Sequence, residues 1–461
     1  MIHVNDATKT AFKTSSTSKS LVVSFPNLNY TVPMSKMVQE SMTLSEKLMD
    51  KDVEFVGCYS SMFSISLRDV DQNLKGQRIV VSIQALNTET IPIFKGIVDS
   101  VSMKASKSVK DINAFDDLYT VGQKDIASWY NGLTFPITIK AFRDSLFAYI
   151  GLTQVSCDLP NDDISIKKWY EPKTLQCLPV LKYLCQINGC FGVINRLGLF
   201  EYRFIHNAYD PIYPAVTLYP SNELFPREYD PEMGGGGISD NFAYYKSIDY
   251  QEYLVNPVQR LQIRQNEEDT GVTIGQSSGN KYIIQNNMFT YEQSTAVLTK
   301  MAKRIWKKIA NISFHPCDTE NTGLPYIEVG DVVTYTLANT TSSGQANRFN
   351  VMSRELHGIQ GLMDSYTAEG EQDQSEFITD VQAQLDAIKH GGVDMSDYYT
   401  SEEVDDILTD YPTYDVTETI IDTAVSEFEE PTGFDIMSVY TLPASRRANT
   451  LYLVQGVVVI R

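Results

Sequence analysis

From Val53 to Phe115, apolar residues fall at every second position between turn-forming residues, the period of strands with one buried face. Phe63, Ile65 and Leu67 alternate with Ser64, Ser66 and Arg68, and Asn73 to Gly76 then turns the chain into Ile79, Val81 and Ile83, which predicts a hairpin. Ile93, Ile97, Val101 and Met103 mark a longer strand and Asp111 to Phe115 another; strands so closely spaced predict a small antiparallel barrel or sandwich over residues 1–120.

The period then becomes helical. Ile139 to Ile150 carries Ile139, Phe142, Leu146, Phe147 and Ile150 on one stripe, with Arg143 and Asp144 away from it, Thr138 as cap and Gly151 as terminator. A second helix is predicted from Leu178 to Ile187, with Pro179 at its first position and Asn188-Gly189 as its stop. Two β-rich runs, Cys190 to Ile194 and Leu199 to Phe204, flank the turn-prone Asn195 to Gly198, so residues 121–206 form an α/β domain. Residues 207–250 are loop-rich, with many Pro, Asp, Tyr and Gly. Strands resume at Val258 to Arg264 and Tyr282 to Gln285, followed by a helix from the Ser294 cap to about Ala310 with Val297, Met301, Ile305 and Ile309 on one face. Further strands at Asp331 to Leu337 and Phe349 to Leu356 make 207–370 a second β domain, interrupted at about 256–320.

Charge separates the rest. Of the formal net charge of −20, residues 371–430 carry −17, with 18 acidic residues against Lys389 alone, and the remainder of the chain only −3. Such a balance is poorly suited to nucleic-acid phosphates, so no sequence-specific nucleic-acid binding is expected. Phe377, Val381, Leu385 and Ile388 form a short helical seam in this acidic linker, Gly391-Gly392 breaks it, and a small β module ends the chain by 461. At 43% apolar residues the 461-residue chain can build several cores. Neither a basic, apolar leader nor a bilayer-length apolar run is visible, so no membrane span is expected. Six scattered cysteines, Cys58, Cys157, Cys177, Cys185, Cys190 and Cys317, lack the paired spacing of zinc sites and read as reduced, packed thiols.

Two motifs imitate chemistry. Gly275-Gln276-Ser277-Ser278-Gly279 has the form of a nucleophile elbow, which needs a strand before it and a helix after it; a strand predicted on each side favours a hairpin loop, with no catalytic role for Ser277. His315 and His357 follow without an identifiable partner acid. Asp69-Val70-Asp71-Gln72-Asn73 starts like a calcium loop, but Leu74 and Val80 stand where Gly and Glu belong. No residue is assigned to catalysis, to a cofactor or to a metal, and the chain reads as a non-enzyme. Lys300, Lys303, Arg304, Lys307 and Lys308, around Trp306, form a basic helix face, read as solvated or as a dock for an acidic neighbour.

Several strings, in order, resemble the hub proteins of phage baseplates and tail tips, especially those of prophages of Gram-positive hosts. They are Phe94 to Ser100, Ile112 to Asp116, Trp129-Tyr130, Phe142 to Phe147, Ile187 to Gly192, Pro325 to Asp331 and Ser353 to Gln360, ending in Asp364 and Ala368 to Gly370. Together they cover roughly 50–370. The resemblance implies a mainly β chain with two tube-like antiparallel β-barrels, an inserted α/β unit and a helical/β C-terminal extension. It also implies a homotrimer in the virion that adapts a sixfold tail tube to threefold tip parts and lines a channel for tape measure protein and DNA. Tail tube and distal tail proteins would be its partners, with tip or fibre proteins held through 371–461. Some relatives continue into a cell-wall-degrading domain, for which the residues after Gly370 are too few. Leu442 to Ser445 with Asn449 to Tyr452 resembles a small β module of tail and fibre proteins. Two competing readings are a tail-associated peptidoglycan hydrolase or peptidase, and a receptor-binding tail module using the Tyr-rich loops of 207–253.

Overall fold

The computed structural model describes residues 2–49, 57–103, 108–205, 245–251, 253–266, 269–310, 312–335 and 348–370, together with the backbone of 238–242, 347, 376–378, 435–439, 450–454 and 457–459. The chain divides into two compact units, residues 1–390 and 391–461. It is mainly β, and half of the described strands of the first unit belong to one antiparallel sheet.

Seven strands of this sheet come from the first part of the chain: β1 (Lys19–Phe25), β2 (Tyr30–Val32), β3 (Thr43–Lys47), β4 (Met62–Arg68), β5 (Arg78–Ala85), β6 (Ile91–Met103) and β7 (Val109–Phe115). Their order is β2-β1-β5-β6-β7-β4-β3. Alternation works as the sequence implies: in β5 every second residue, Ile79, Val81, Ile83 and Ala85, is buried. The expected hairpin around Asn73 to Gly76 is absent, because β4 pairs with β3 and β7 while β5 pairs with β1 and β6. Short connections favour hairpins, but here two strands later in sequence insert between β4 and β5.

Beyond β3 the sheet continues through Ser353–His357, Met363–Ala368, Cys317–Thr322 and Tyr245–Tyr250, eleven strands in all. Neither part closes by hydrogen bonding into a barrel among the described residues. The two parts nevertheless repeat one pattern. In chain order β3, β4, β6 and β7 pair as β3-β4-β7-β6, and Tyr245–Tyr250, Cys317–Thr322, Ser353–His357 and Met363–Ala368 pair in the same order. The turn that opens the middle of each repeat is also shared. Gly76 and Gly330 both take a left-handed φ, 76° and 91°. Gly76 N donates to Val98 O (2.8 Å) and Val98 N to Gln77 O (3.0 Å), just as Gly330 N donates to Val351 O (2.7 Å) and Val351 N to Asp331 O (2.8 Å).

Two insertions interrupt this sheet and pack on each other. The first, which follows the N-terminal helix α1 (Asp6–Lys13) and the seven strands, holds α2 (Asp117–Gly122), α3 (Ala127–Asn131), α4 (Ile139–Ile150), α5 (Cys177–Gln186) and the hairpin Phe191–Ile194/Phe200–Arg203. Thr138 caps α4 by accepting from Ala141 N (3.2 Å), and Gly151 ends it at φ 74°. Pro179 is the third residue of α5, not the first, and lies within the first turn, where its missing N–H still costs no helical bond. Arg143 is not off the apolar stripe: it is buried with it. The second insertion carries α6 (Thr295–Ile309) against a four-stranded sheet ordered Val272–Gly275, Arg260–Ile263, Lys281–Ile284, Glu376–Ile378. Phe289 meets Phe142 edge-on (5.2 Å), and the buried Asn287 amide donates to Tyr183 O (3.0 Å) and Gln186 Oε1 (2.8 Å) of α5.

The sequence places Phe377 in a helical seam, but Glu376–Ile378 is a strand paired in parallel with Lys281–Ile283. Tyr282 lies opposite Phe377 in the ladder, and the seam is too short to hold a helix alone. Val381, Leu385 and Ile388 lie outside the described residues, as do most of the loop-rich 207–250 and the linker. In the second unit, Asp435–Val439 pairs in parallel with Thr450–Val454, which pairs antiparallel with Val457–Val459.

Asp116 caps α2, accepting from Leu118 N (3.0 Å), Ser61 N (2.7 Å) and Ser60 Oγ (2.8 Å). Burial nevertheless pushes its carboxyl up to about 7. The native state therefore holds this proton to higher pH than the unfolded chain does. Its contribution to stability is complete below the unfolded value near 3.8 and is lost as pH rises through about 7. Urea midpoints measured across this window should fall less steeply for Asp116→Asn than for the unmodified chain; equal slopes would contradict the assignment.

Candidate functional site

The densest chemistry among the described residues is a buried ionic junction where both sheet parts and the first insertion meet. Arg354, on the strand that pairs with β3, is 1% exposed, and Asp364, on the next strand, 0%. Arg354 grips Asp364 with two bonds, Nε to Oδ1 (2.9 Å) and Nη2 to Oδ2 (2.8 Å), and donates from Nη1 to Glu46 Oε2 of β3 (3.1 Å). Tyr366 Oη donates to Asp364 Oδ2 (2.9 Å), and Arg354 Nη2 also reaches Leu324 O (3.2 Å). Burial opposes the charge of Arg354, but Asp364 and Glu46 outweigh it and hold the guanidinium firmly protonated.

The insertion contributes Arg196, from the turn of its hairpin, and Arg203, from the second hairpin strand. Arg196 donates to Pro325 O and Ile327 O and lies 3.8 Å from Glu46 Oε2 and 3.6 Å from Glu328 Oε1. Arg203 donates to Val329 O (2.8 Å) and to Glu328 Oε1 (3.0 Å). Burial pushes the Glu328 carboxyl up, but Arg203 and Arg196 together hold it well below the usual carboxylate range. Asp331 Oδ2 accepts from Glu328 N (2.9 Å), closing the turn around Gly330.

Three guanidiniums here face carboxylates and main-chain carbonyls in fixed, water-excluded geometry. Such an arrangement has no nucleophile and no open face for a substrate; what it can do is lock three chain segments in register. The sequence strings Pro325 to Asp331 and Ser353 to Gln360, with Asp364, converge on it. Glu46, Arg196 and Arg203 went unnoticed in sequence. The only signal was an Arg standing beside aromatics in the alternation Phe200-Glu201-Tyr202-Arg203-Phe204, where Arg203 is 3% exposed.

No family model matches this chain, and no curated protein matches it. Solved structures similar to it include the tail protein from Neisseria meningitidis MC58, at 10% identity and TM-score 0.44 over 78% of this chain and 100% of that one. A second is the 43 kDa tail protein of prophage MuSo2 from Shewanella oneidensis, at 12% and 0.45 over 76% and 98%. A third is prophage tail protein gp18 from Listeria monocytogenes EGD-e, at 12% and 0.43 over 80% and 99%.

The other sequence candidates lie elsewhere. Ser277 is exposed between Val272–Gly275 and Lys281–Ile284, but the two strands are not a hairpin: Arg260–Ile263 lies between them and pairs with both. The connection arches over Gln259, whose carbonyl accepts from Gln276 N (2.8 Å), and no helix follows to form an elbow. His315 Nδ1 lies 2.9 Å from Tyr253 O. The Asp69 to Asn73 loop is held by lysines, with Lys110 Nζ donating to Gln72 O (2.9 Å), and no cluster of metal-ligating side chains occurs among the described residues. All six cysteines are free thiols, and only Cys157 is not fully buried. On α6, Lys300 (2.8 Å) and Arg304 both pair with Asp163, and Lys308 lies over the Phe204 ring (4.6 Å). Much of the basic face thus binds this chain's own first insertion, while Lys303 and Lys307 stay exposed. No helix among the described residues is long and apolar enough to cross a membrane.

Proposed function

We propose that this chain is a structural hub of a bacteriophage tail tip or baseplate, working as a homotrimer and not as an enzyme. The observation that carries the reading is the repeated four-strand unit: one chain supplies two similar wall segments, fused edge to edge at β3 and Ser353–His357. Three copies then supply six segments, which is what a threefold part needs in order to meet a sixfold tube. Each segment is read as one tube-like barrel, closed in the assembled ring, and the ring as part of the passage for tape measure protein and DNA. The buried ionic junction fits this role, since a wall that transmits force needs its two segments and its insertion in fixed register. Residues 371–461 are read as the attachment for tip or fibre proteins.

Electron cryomicroscopy of isolated tails tests the reading. A threefold ring with two repeats of this chain per copy is the expected result, and a zymogram on host cell walls should show no clearing, with or without Ser277→Ala. A single copy per tail, or a clearing activity abolished by Ser277→Ala, would overturn it.

A further inference from the structure

The joint inside this chain is a template for a joint between chains. Ser353–His357, third in chain order in its repeat, pairs antiparallel with β3, first in the other repeat, and Leu356 lies opposite Leu44. Among the described residues, the outer ends of the two repeats carry the same pair of edges, unjoined. At one end β6 runs past β5: their pairing stops at Arg78 and Ile97, and Ser100–Met103 is bonded by β7 on one side only among the described strands. At the other end Tyr245–Tyr250 is the last of the sheet's described strands. Gln251 N donates to Pro316 O (3.0 Å), so by antiparallel alternation the main-chain groups of Tyr250 point to the open side.

The repeats also fix a register. Met103 follows Val98 by the same number of positions as Leu356 follows Val351, and Val98 and Val351 bind the equivalent glycine turns. Across the sheet, Leu44 faces Phe63 and Phe63 faces Ala114, as Tyr250 faces Cys317 and Cys317 faces Ala368. Met103 therefore stands where Leu356 stands, and Tyr250 where Leu44 stands. Leu356 and Leu44 are fully buried at the internal joint, whereas Met103 and Tyr250 are 54% and 43% exposed, two of the few large apolar side chains left in solvent.

Resting on the ring reading above, we propose that Ser102–Met103 of one copy pairs antiparallel with Tyr250–Gln251 of a second copy, setting Met103 against Tyr250 and Ser102 against Gln251. The contact is heterologous, edge to unlike edge, which is the type that closes a ring when the rotation allows. It satisfies main-chain groups that an exposed edge otherwise leaves open, and buries two apolar side chains.

The test uses the full chain with Met103→Cys and Tyr250→Cys together, oxidised mildly and run without reductant, alongside each single variant and light scattering of the unmodified chain. Opposed positions of a main-chain-bonded antiparallel pair lie about 5.5 Å apart at Cα, within disulfide reach. The expected result is a ladder of covalent dimer and trimer that stops at trimer, seen only in the double variant. Tyr250→Arg should weaken association by about tenfold or more, the effect of losing one buried anchor. A trimer that never cross-links through these positions would overturn the joint and leave the hub reading standing. Cross-linked chains that lengthen without closing would support the joint and overturn the closed threefold ring. A chain that stays monomeric and uncross-linked at the highest attainable concentration would overturn the joint.

Discussion

Arg354→Met is expected to destabilise the first unit by about 3–5 kcal/mol, the usual cost of removing one partner from a buried ion pair. The side chain is fully enclosed, and its loss strands Asp364, which it grips with two bonds, and takes one of two guanidiniums from Glu46. Met fills much of the aliphatic volume, so the loss comes chiefly from charge and not from a cavity. The companion variant separates these terms. Asp364→Leu with Arg354→Met removes both charges and should recover a large part of the single loss, because a buried pair replaced by apolar residues is often near neutral. Urea unfolding of Arg354→Met, of Asp364→Leu alone and of the double variant measures the coupling. Additive losses would show that the junction acts through packing and not through paired charge.

The contrast between this junction and the strands around it shows what the sequence makes legible. Strand positions follow from local alternation, and the helix boundaries of α4 and α6 from Thr138, Gly151 and Ser294, each of which acts on its own neighbours. Pairing is not local. Asn73 to Gly76 has good turn chemistry whether the next strand lies beside β4 or across the sheet, so the hairpin expectation failed while both strands formed. The repeat stayed hidden for a related reason. Its two copies share a glycine turn and a pairing scheme, yet Leu44 answers to Tyr250 and Phe63 to Cys317, because a ladder constrains main-chain bonds more tightly than side-chain identity. Buried charge is the hardest to see. Arg196 sits in a turn-prone tetrapeptide and Glu46 in a short polar-looking strand; only their partners, far off in sequence, remove them from water.

Arg143 offers the sharpest divergence between the two levels of reading. Taken from the helical wheel alone, it lies off the apolar stripe of α4, and Arg143→Leu would then change stability by no more than about 0.5 kcal/mol, as surface substitutions usually do. In the fold it is 1% exposed and bonds Asp162 through Nε (2.9 Å) and Nη2 (2.7 Å), Gln154 Oε1 through Nη1 (2.7 Å) and Cys157 O through Nη2 (2.7 Å). Asp162 in turn accepts from Leu159 N (2.9 Å), so the guanidinium organises the loop between α4 and α5 that also presents Asp163 to Lys300 and Arg304 of α6. Removing it buries an unpaired carboxylate, and a loss of about 3–5 kcal/mol is expected. The exposed bridge next to it sets the scale from the other side: Asp163→Asn removes the charge from two solvent-exposed ion pairs and should cost under about 1 kcal/mol. Hydrogen exchange gives the spatial readout, because Arg143→Leu should raise exchange at Leu159 and Asn161, whereas Asp163→Asn should leave both protected. A small effect of Arg143→Leu, equal to that of Asp163→Asn, would mean that the loop is held by its backbone bonds and that the buried pair contributes nothing of its own.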